Sequence, residues 1–145
     1  MGTVVWNCNW GQDACFESHA TQPRATLFDN CRGGLVRYHA GGAETEAPNH
    51  LSDLTLWNLY VTGTTDEKGI NFASDFKWWD AGSFWWKIYP PIVVGTHGQA
   101  VTFSQEEGQL TYEESTGVKV TPESLYEAQL QNRLGYVPAW LKALK

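Results

Sequence analysis

The chain has 145 residues, 42% hydrophobic and 18% charged, so it is long and apolar enough to fold around its own core. Its net charge of −6 argues against a general nucleic-acid binder, which needs a basic surface to displace counterions from phosphate. No apolar run approaches the roughly 20 residues of a membrane-spanning helix, so no membrane partner is expected. Fourteen glycines and eight tryptophans, with few helical patterns, indicate a strand-rich protein.

The N-terminal stretch MGTVVWNCNW does not read as a signal peptide, because it has neither a basic region nor a sustained apolar stretch. The three cysteines Cys8, Cys15 and Cys31 match no metal-binding spacing, and buried thiols are their simplest interpretation. No metal or cofactor is expected from the sequence.

A loose repeat runs through the first half of the chain, in the segments VVWNC (4–8), TLFDNC (26–31) and LTLWNL (54–59). Aligning their aromatic residues places Asn7, Asp29 and Asn58 in equivalent positions. Such repeats, with short strands and polar corners, predict the final coils of a right-handed parallel β-helix over residues 1–68. An antiparallel sandwich with chance similarity is the alternative.

Residues 69–145 follow a different pattern, which predicts a hairpin region and a helical cap, in one structural unit with the coils. Strands are expected at 76–80 and 84–89, joined by the turn DAGS, and a second hairpin is expected to turn at Glu107–Gly108. The predicted fold is therefore mainly β, with right-handed parallel β-helix coils, a β-hairpin region and a C-terminal capping α-helix.

The helix is predicted in the segment PESLYEAQLQNRL, because Thr121 suits the N-cap, Pro122 the first helical position and Gly135 the stop. A short last turn is expected to press Trp140 and Leu141 back on the helix. The helix is expected to cover an open edge of the sheet.

The segments FESHATQPRATLFDNCRGGL and HLSDLTLWNLYVTGT resemble the last coils of pectate-lyase-like β-helix proteins. The blocks FWWKIYPPIVVGTHG and PESLYEAQLQNRLGYVPAWLKAL resemble an uncharacterised C-terminal domain attached to such proteins in polysaccharide-degrading bacteria. The resemblance spans nearly the whole chain. It implies a secreted setting, extracellular or periplasmic, and a role directed at glycans, but it carries over no catalytic or binding residue.

Four residues are weak candidates for catalysis: Asp13, Glu17, His19 and His39. Carboxylate pairs and histidines are the usual acids and bases of polysaccharide cleavage, and His19 and His39, 20 positions apart, could stack in neighbouring coils. Corner or solvent-facing positions are the simpler explanation of these residues, and no histidine spacing typical of a metal site is present.

The stretch SDFKWWDAGSFWWKIYPP is the most informative candidate for binding. Strand alternation assigns Trp78 and Trp86 to the core. It assigns three rings and two ammonium groups to the opposite face, a combination suited to sugar rings and their anionic groups. We name this the aromatic-lysine face, and its residues are Lys77, Trp79, Trp85, Lys87 and Tyr89. The alternative is that Trp79 and Trp85 pack beneath the helix.

Arginine offers a further contact for an anionic sugar, because its fork of donors matches carboxylate and sulfate. Arg24, Arg32 and Arg37 are candidates for this role, and Arg37 ranks next after the residues of the aromatic-lysine face as a ligand contact. An ion pair within the protein is the competing explanation.

The sequence thus predicts a carbohydrate-binding or accessory module of a secreted polysaccharide-degrading protein, with an anionic or sulfated polysaccharide as partner. One alternative is a fragment of a β-helix polysaccharide lyase or glycoside hydrolase, and another is a purely structural cap. An unpaired first coil would also favour self-association or an upstream β-helix domain.

Overall fold

A computed structural model of the chain describes residues 2–18, 23–39, 49–66, 68–70, 74–79 and 89–144. Within this part it is mainly β, with eight short strands and two short helices. The strands are β1 (Thr3–Trp6), β2 (Thr26–Asp29), β3 (Arg32–Val36), β4 (Thr55–Trp57), β5 (Tyr60–Thr65), β6 (Ile92–Val94), β7 (His97–Gly98) and β8 (Tyr112–Glu114), and the helices are α1 (Leu125–Leu134) and α2 (Ala139–Lys142).

Strands β1 to β8 form two parallel sheets. One sheet has five strands in the order β1-β2-β4-β6-β8, and the other has three in the order β3-β5-β7. The prediction of right-handed β-helix coils is therefore wrong, because the strands lie in two flat parallel sheets. The repeat in the sequence arises because equivalent segments become neighbours within one sheet. The five-stranded sheet also contains strands from both predicted segments, 1–68 and 69–145.

The register of the five-stranded sheet differs from the aromatic alignment by one residue at β2. Asp29 lies opposite Trp6 and Trp57, whereas Phe28 lies opposite Val5 and Leu56. Because side chains alternate between the faces of a strand, this shift turns Phe28 toward the core and Asp29 away from it. The error came from matching aromatic residues that point to opposite faces.

Three asparagines follow β1, β2 and β4 at equivalent positions and form what we call the asparagine row: Asn7, Asn30 and Asn58. All three are left-handed, with φ of 51°, 52° and 53°. Asparagine adopts this conformation more readily than most residues because its short polar side chain hydrogen-bonds locally. Here the Asn30 amide donates to Oδ1 of Asn7 at 2.8 Å. The row ends each strand and directs the chain toward the other sheet.

The core is built from the inward faces of both sheets, with Phe28 and Leu56 from one sheet and Leu35 and Val61 from the other. Aromatic rings fill the space between them. Trp78 stacks on Phe103 with ring centroids 5.6 Å apart, and Phe76 meets both rings edge-on. The assignment of Trp78 to the core is confirmed, since its side chain is buried.

The beginning of the chain closes one end of this core. Trp10 donates its indole N–H to the carbonyl of Gly34 at 2.9 Å and packs edge-on against Phe28. A Cβ atom at Gly33 would lie 2.1 Å from the Trp10 indole, and one at Gly34 would lie 2.2 Å from the carbonyl oxygen of Gln12. Glycine at these two positions therefore permits the close approach of the N-terminal segment.

The two predicted hairpins are not found among the described residues. Residues 76–79 form no strand, and Phe76 makes only an isolated parallel bridge with Phe103. Most of the first hairpin lies outside the described residues. The second is wrong, because β8 pairs in parallel with β6. The turn at Glu107–Gly108 was read correctly as a turn but leads into a sheet rather than back along the preceding strand.

The C-terminal helix is confirmed, but it begins later than predicted. Its N-cap is Ser124, whose hydroxyl accepts from the Glu127 amide at 3.1 Å, rather than Thr121. It ends at Gly135, which is left-handed with φ of 79°, as predicted. In α2, Leu141 is buried as expected whereas Trp140 is exposed.

Asp29 anchors α1 to the five-stranded sheet. Its carboxylate accepts hydrogen bonds from the Ser124 hydroxyl and from the amides of Leu125 and Tyr126, both at 3.0 Å. Asn58 holds the preceding segment by donating to the carbonyls of Val120 and Glu123. The helix is thus attached at central strands β2 and β4, not at an edge of the sheet as predicted.

Candidate functional site

Trp79 lies in the core, not on a binding surface. Its side chain is only 5% exposed. Trp78 and Trp79 can both be buried because Gln109 satisfies the backbone between them, accepting from the Trp78 amide at 2.9 Å and donating to the Trp79 carbonyl at 3.0 Å. The predicted alternation of faces fails here because these residues form no strand.

Lys77 is engaged within the protein. Its ammonium donates to the carboxylate of Glu106 and lies 3.7 Å from that of Asp75. The hydrogen bond to Glu106 raises the pKa of Lys77 above its ordinary value. A lysine held by two carboxylates presents little charge to a ligand, so the role predicted for Lys77 is not supported.

The remaining members of the aromatic-lysine face do not form a site among the described residues. Trp85 and Lys87 lie outside that part of the chain. Tyr89 is exposed at 52%, and its backbone amide donates to the carbonyl of His50. Arg37 is half-buried, with its guanidinium 4.5 Å from the centroid of the Tyr38 ring.

Three of the four weak catalytic candidates are brought close together. Asp13 and His39 line one cleft of about 560 Å³, together with Cys15 and Asp66, and we name it the acid-histidine cleft. Nε2 of His39 lies 3.6 Å from a carboxylate oxygen of Glu17. His19, the fourth candidate, lies outside the described residues.

The other groups of the acid-histidine cleft have structural tasks. Burial raises the pKa of Cys15 to about 11, so its thiol stays protonated at neutral pH and is a poor nucleophile. The Asp66 carboxylate accepts from the amides of Lys68 and Ile70 and so closes a turn. Among the described residues no cluster of histidine, cysteine and carboxylate groups could hold a metal ion.

A different set of polar residues lies together on the three-stranded sheet. Arg32, Tyr60 and His97 occupy one register position on β3, β5 and β7. The guanidinium carbon of Arg32 lies 4.2 Å from the centroid of the Tyr60 ring, and the Tyr60 and His97 rings meet edge-on at 5.3 Å. We name this set the Arg-Tyr-His row.

The Arg-Tyr-His row is accessible from solvent. Arg32 is exposed, Tyr60 is 37% exposed and His97 is half-buried. Nδ1 of His97 lies 2.9 Å from the carbonyl oxygen of Gly95, and because a carbonyl only accepts, Nδ1 must donate. The neutral imidazole therefore keeps Nε2 as an acceptor for another group.

Arg32 differs from Lys77 in one respect that matters for binding. No carboxylate in the described ranges forms an ion pair with Arg32, although the chain carries sixteen acidic residues. Stacking on an aromatic ring holds a guanidinium in place without using its N–H donors. The row therefore presents a fixed cation with donors available to an external acceptor.

Sequence reasoning weighed Arg32 but missed Tyr60 and did not connect either residue with His97. Arg32 and Tyr60 are 28 positions apart in the sequence, and Tyr60 and His97 are 37 positions apart. Only the strand register makes them neighbours. The signal that could have found them is the segment that follows each asparagine of the row, because Arg32 and Tyr60 both lie two residues after one.

Within the described residues, neither helix has the length and apolar composition needed to cross a bilayer. No curated protein and no solved structure matches this chain. One family model does match, over residues 1–144, and its description is "Domain of unknown function (DUF4955)". Since the match covers nearly every residue, the chain belongs to the DUF4955 family.

Proposed function

We propose that this protein is a carbohydrate-binding accessory module that holds an anionic polysaccharide on the Arg-Tyr-His row. The observation that carries the proposal is the exposed Arg32 guanidinium, stacked 4.2 Å from the Tyr60 ring centroid and without a carboxylate partner among the described residues. An oriented guanidinium suits a uronate carboxylate or a sulfate group, which it binds through two parallel hydrogen bonds.

The neighbours of Arg32 suit the rest of a sugar unit. The phenol of Tyr60 both donates and accepts, and Nε2 of His97 accepts, so the two can bond ring hydroxyl groups. The rings are held by their mutual contacts, which lowers the entropy lost when a ligand binds. An open sheet face also suits a long chain better than an enclosed pocket does. A secreted polysaccharide-degrading protein, the setting implied by the sequence resemblance, is the host we propose for such a module.

Affinity electrophoresis in gels containing polygalacturonate, alginate or dextran sulfate tests this proposal. Retardation of the wild-type protein is expected in at least one gel and should weaken as salt is added, because salt screens exposed charges. Arg32→Gln should weaken binding at least about tenfold, since hydrogen bonds to charged groups contribute about 1.5–3 kcal/mol. Tyr60→Ala should also weaken binding by removing the stack.

Arg24→Gln is the matched control, because Arg24 is an exposed arginine outside the row and its loss changes the net charge equally. Equal weakening in Arg24→Gln and Arg32→Gln would show that only net charge matters. Full retardation of Arg32→Gln would remove the row from consideration. No retardation of the wild-type protein in any of the gels would remove the proposed function itself.

A second candidate function is polysaccharide cleavage at the acid-histidine cleft. The observation that favours it is the 3.6 Å approach of His39 to Glu17, with Asp13 lining the cleft that His39 also lines. A histidine oriented by a carboxylate can act as a general base or acid. Release of reducing ends or of unsaturated products, lost in His39→Ala and Asp13→Asn, would establish it. If neither product is released from any polysaccharide that retards the protein in the gels, cleavage at the acid-histidine cleft is excluded.

A further inference from the structure

A second cavity, of about 590 Å³, lies between helix α1 and the asparagine row. One wall is a face of the helix, where Glu127, Ala128 and Gln131 follow Ser124 at helical spacing. The opposite wall is formed by Asn7 and Asn30, at the ends of β1 and β2. The volume is within the range of about 300–1,000 Å³ that small-molecule sites occupy.

The lining of this cavity is polar but contains no cation. Its described lining combines amides and carboxylates with a few apolar side chains, and none of these residues is lysine or arginine. Amides and carboxylates together offer both donors and acceptors, which suits vicinal hydroxyl groups. The carboxylate of Glu127 disfavours an anionic ligand, whereas that of Glu123 is engaged by the ammonium of Lys119. The backbone N–H groups of Leu125 and Tyr126, at the start of α1, do not serve a ligand, because they already donate to the Asp29 carboxylate.

We propose that this cavity binds a neutral monosaccharide, as a free sugar or as one unit of a glycan. Asn30, Asn7 and Gln131 would bond its hydroxyl groups, and Ala128 and Leu144 would contact its C–H surface. The site is separate from the Arg-Tyr-His row and takes a ligand of different charge. It therefore does not depend on the proposed function of that row.

Three of the polar side chains are already held in place. The Asn30 amide donates to Oδ1 of Asn7 at 2.8 Å, which orients both groups. Nε2 of Gln131 donates to the Gly135 carbonyl at 2.7 Å, which orients the amide and leaves its Oε1 as an acceptor for a ligand. Side chains fixed before binding lose less entropy on binding, which favours a small ligand that makes few contacts.

Saturation-transfer NMR with galactose, glucose and xylose as separate probes tests this inference. We expect a signal for at least one sugar with the wild-type protein. Ala128→Trp fills the cavity and should abolish the signal. Gln131→Ala removes one acceptor and should raise the dissociation constant about 3- to 10-fold, as the loss of one hydrogen bond predicts. Circular dichroism checks that both variants keep helix α1.

Gln129→Ala is the matched control, because Gln129 is exposed on the same helix and does not line the cavity. It should bind as the wild type does, and so should Tyr60→Ala, which alters only the Arg-Tyr-His row. The inference is overturned if no sugar gives a signal with the wild-type protein. It is equally overturned if Gln131→Ala binds normally, or if Gln129→Ala loses binding to the same extent.

Discussion

Removal of the Asp29 carboxylate should detach the start of helix α1 from the five-stranded sheet. Asp29 is buried and accepts three hydrogen bonds, from the Ser124 hydroxyl and from the amides of Leu125 and Tyr126. At about 1.5 kcal/mol each, their loss in Asp29→Ala would cost about 4.5 kcal/mol. Because the variant no longer buries an ionised carboxylate, part of this loss in stability is offset. We therefore expect a net loss of about 3 kcal/mol at pH 7.

Urea unfolding followed by tryptophan fluorescence measures this loss, with circular dichroism reporting the helix separately. Asp13→Ala serves as the control, because Asp13 is exposed, and it should change stability by less than about 0.5 kcal/mol. Asp29→Asn keeps one carbonyl oxygen and should fall between the wild type and Asp29→Ala. A loss below about 1 kcal/mol in Asp29→Ala would refute the anchoring role, since each hydrogen bond alone should contribute that much.

The pH dependence of the same difference tests the balance between burial and hydrogen bonding at Asp29. Burial, as the largest cause, raises its pKa above the ordinary value of 3.8. The Asp29 carboxylate therefore binds a proton more readily in the folded protein than in the unfolded chain. The group contributes stability that is fully present below about pH 4 and is lost as the pH rises through the raised pKa. The difference in the free energy of unfolding between wild type and Asp29→Ala should therefore widen from pH 7 to pH 4. A narrowing would show that the hydrogen bonds, and not burial, have the larger effect on the pKa of Asp29.

Thiol labelling at pH 8 should modify Cys8 rapidly and Cys15 and Cys31 slowly, because burial raises the pKa of the latter two thiols to about 11. Mass spectrometry counts the labels, and equal labelling rates at all three cysteines would contradict the burial of Cys15 and Cys31. Gly34→Ala should lower stability by about 2 kcal/mol, seen as a lower melting temperature, because its Cβ would lie 2.2 Å from the Gln12 carbonyl oxygen; an unchanged melting temperature would mean that the N-terminal segment moves aside freely. Self-association through the edge strand β1 stays a prediction, and light scattering at rising concentration checks it, a constant monomer mass being the contrary result.

Local sequence signals determined the features that depend on near neighbours. A strand-rich chain, a C-terminal helix and its stop at Gly135 could all be read from composition, spacing and the special conformation of glycine. The burial of Trp78 was also predicted correctly. The start of the helix was misplaced because Ser124 and Thr121 are both acceptable N-caps, and the contact with Asp29, 95 residues earlier, is at Ser124.

The tertiary structure alone decided the site and the sheet architecture. Trp79 was assigned to a surface by an alternation that holds only within a strand, and the Gln109 side chain allows both tryptophans to be buried instead. The Arg-Tyr-His row exists because parallel pairing places residues from three distant strands at one register position. A shift of one residue would send each side chain to the opposite face. The sequence by itself thus determined that the chain is rich in strands and ends in a helix, whereas strand register determined which side chains lie next to one another.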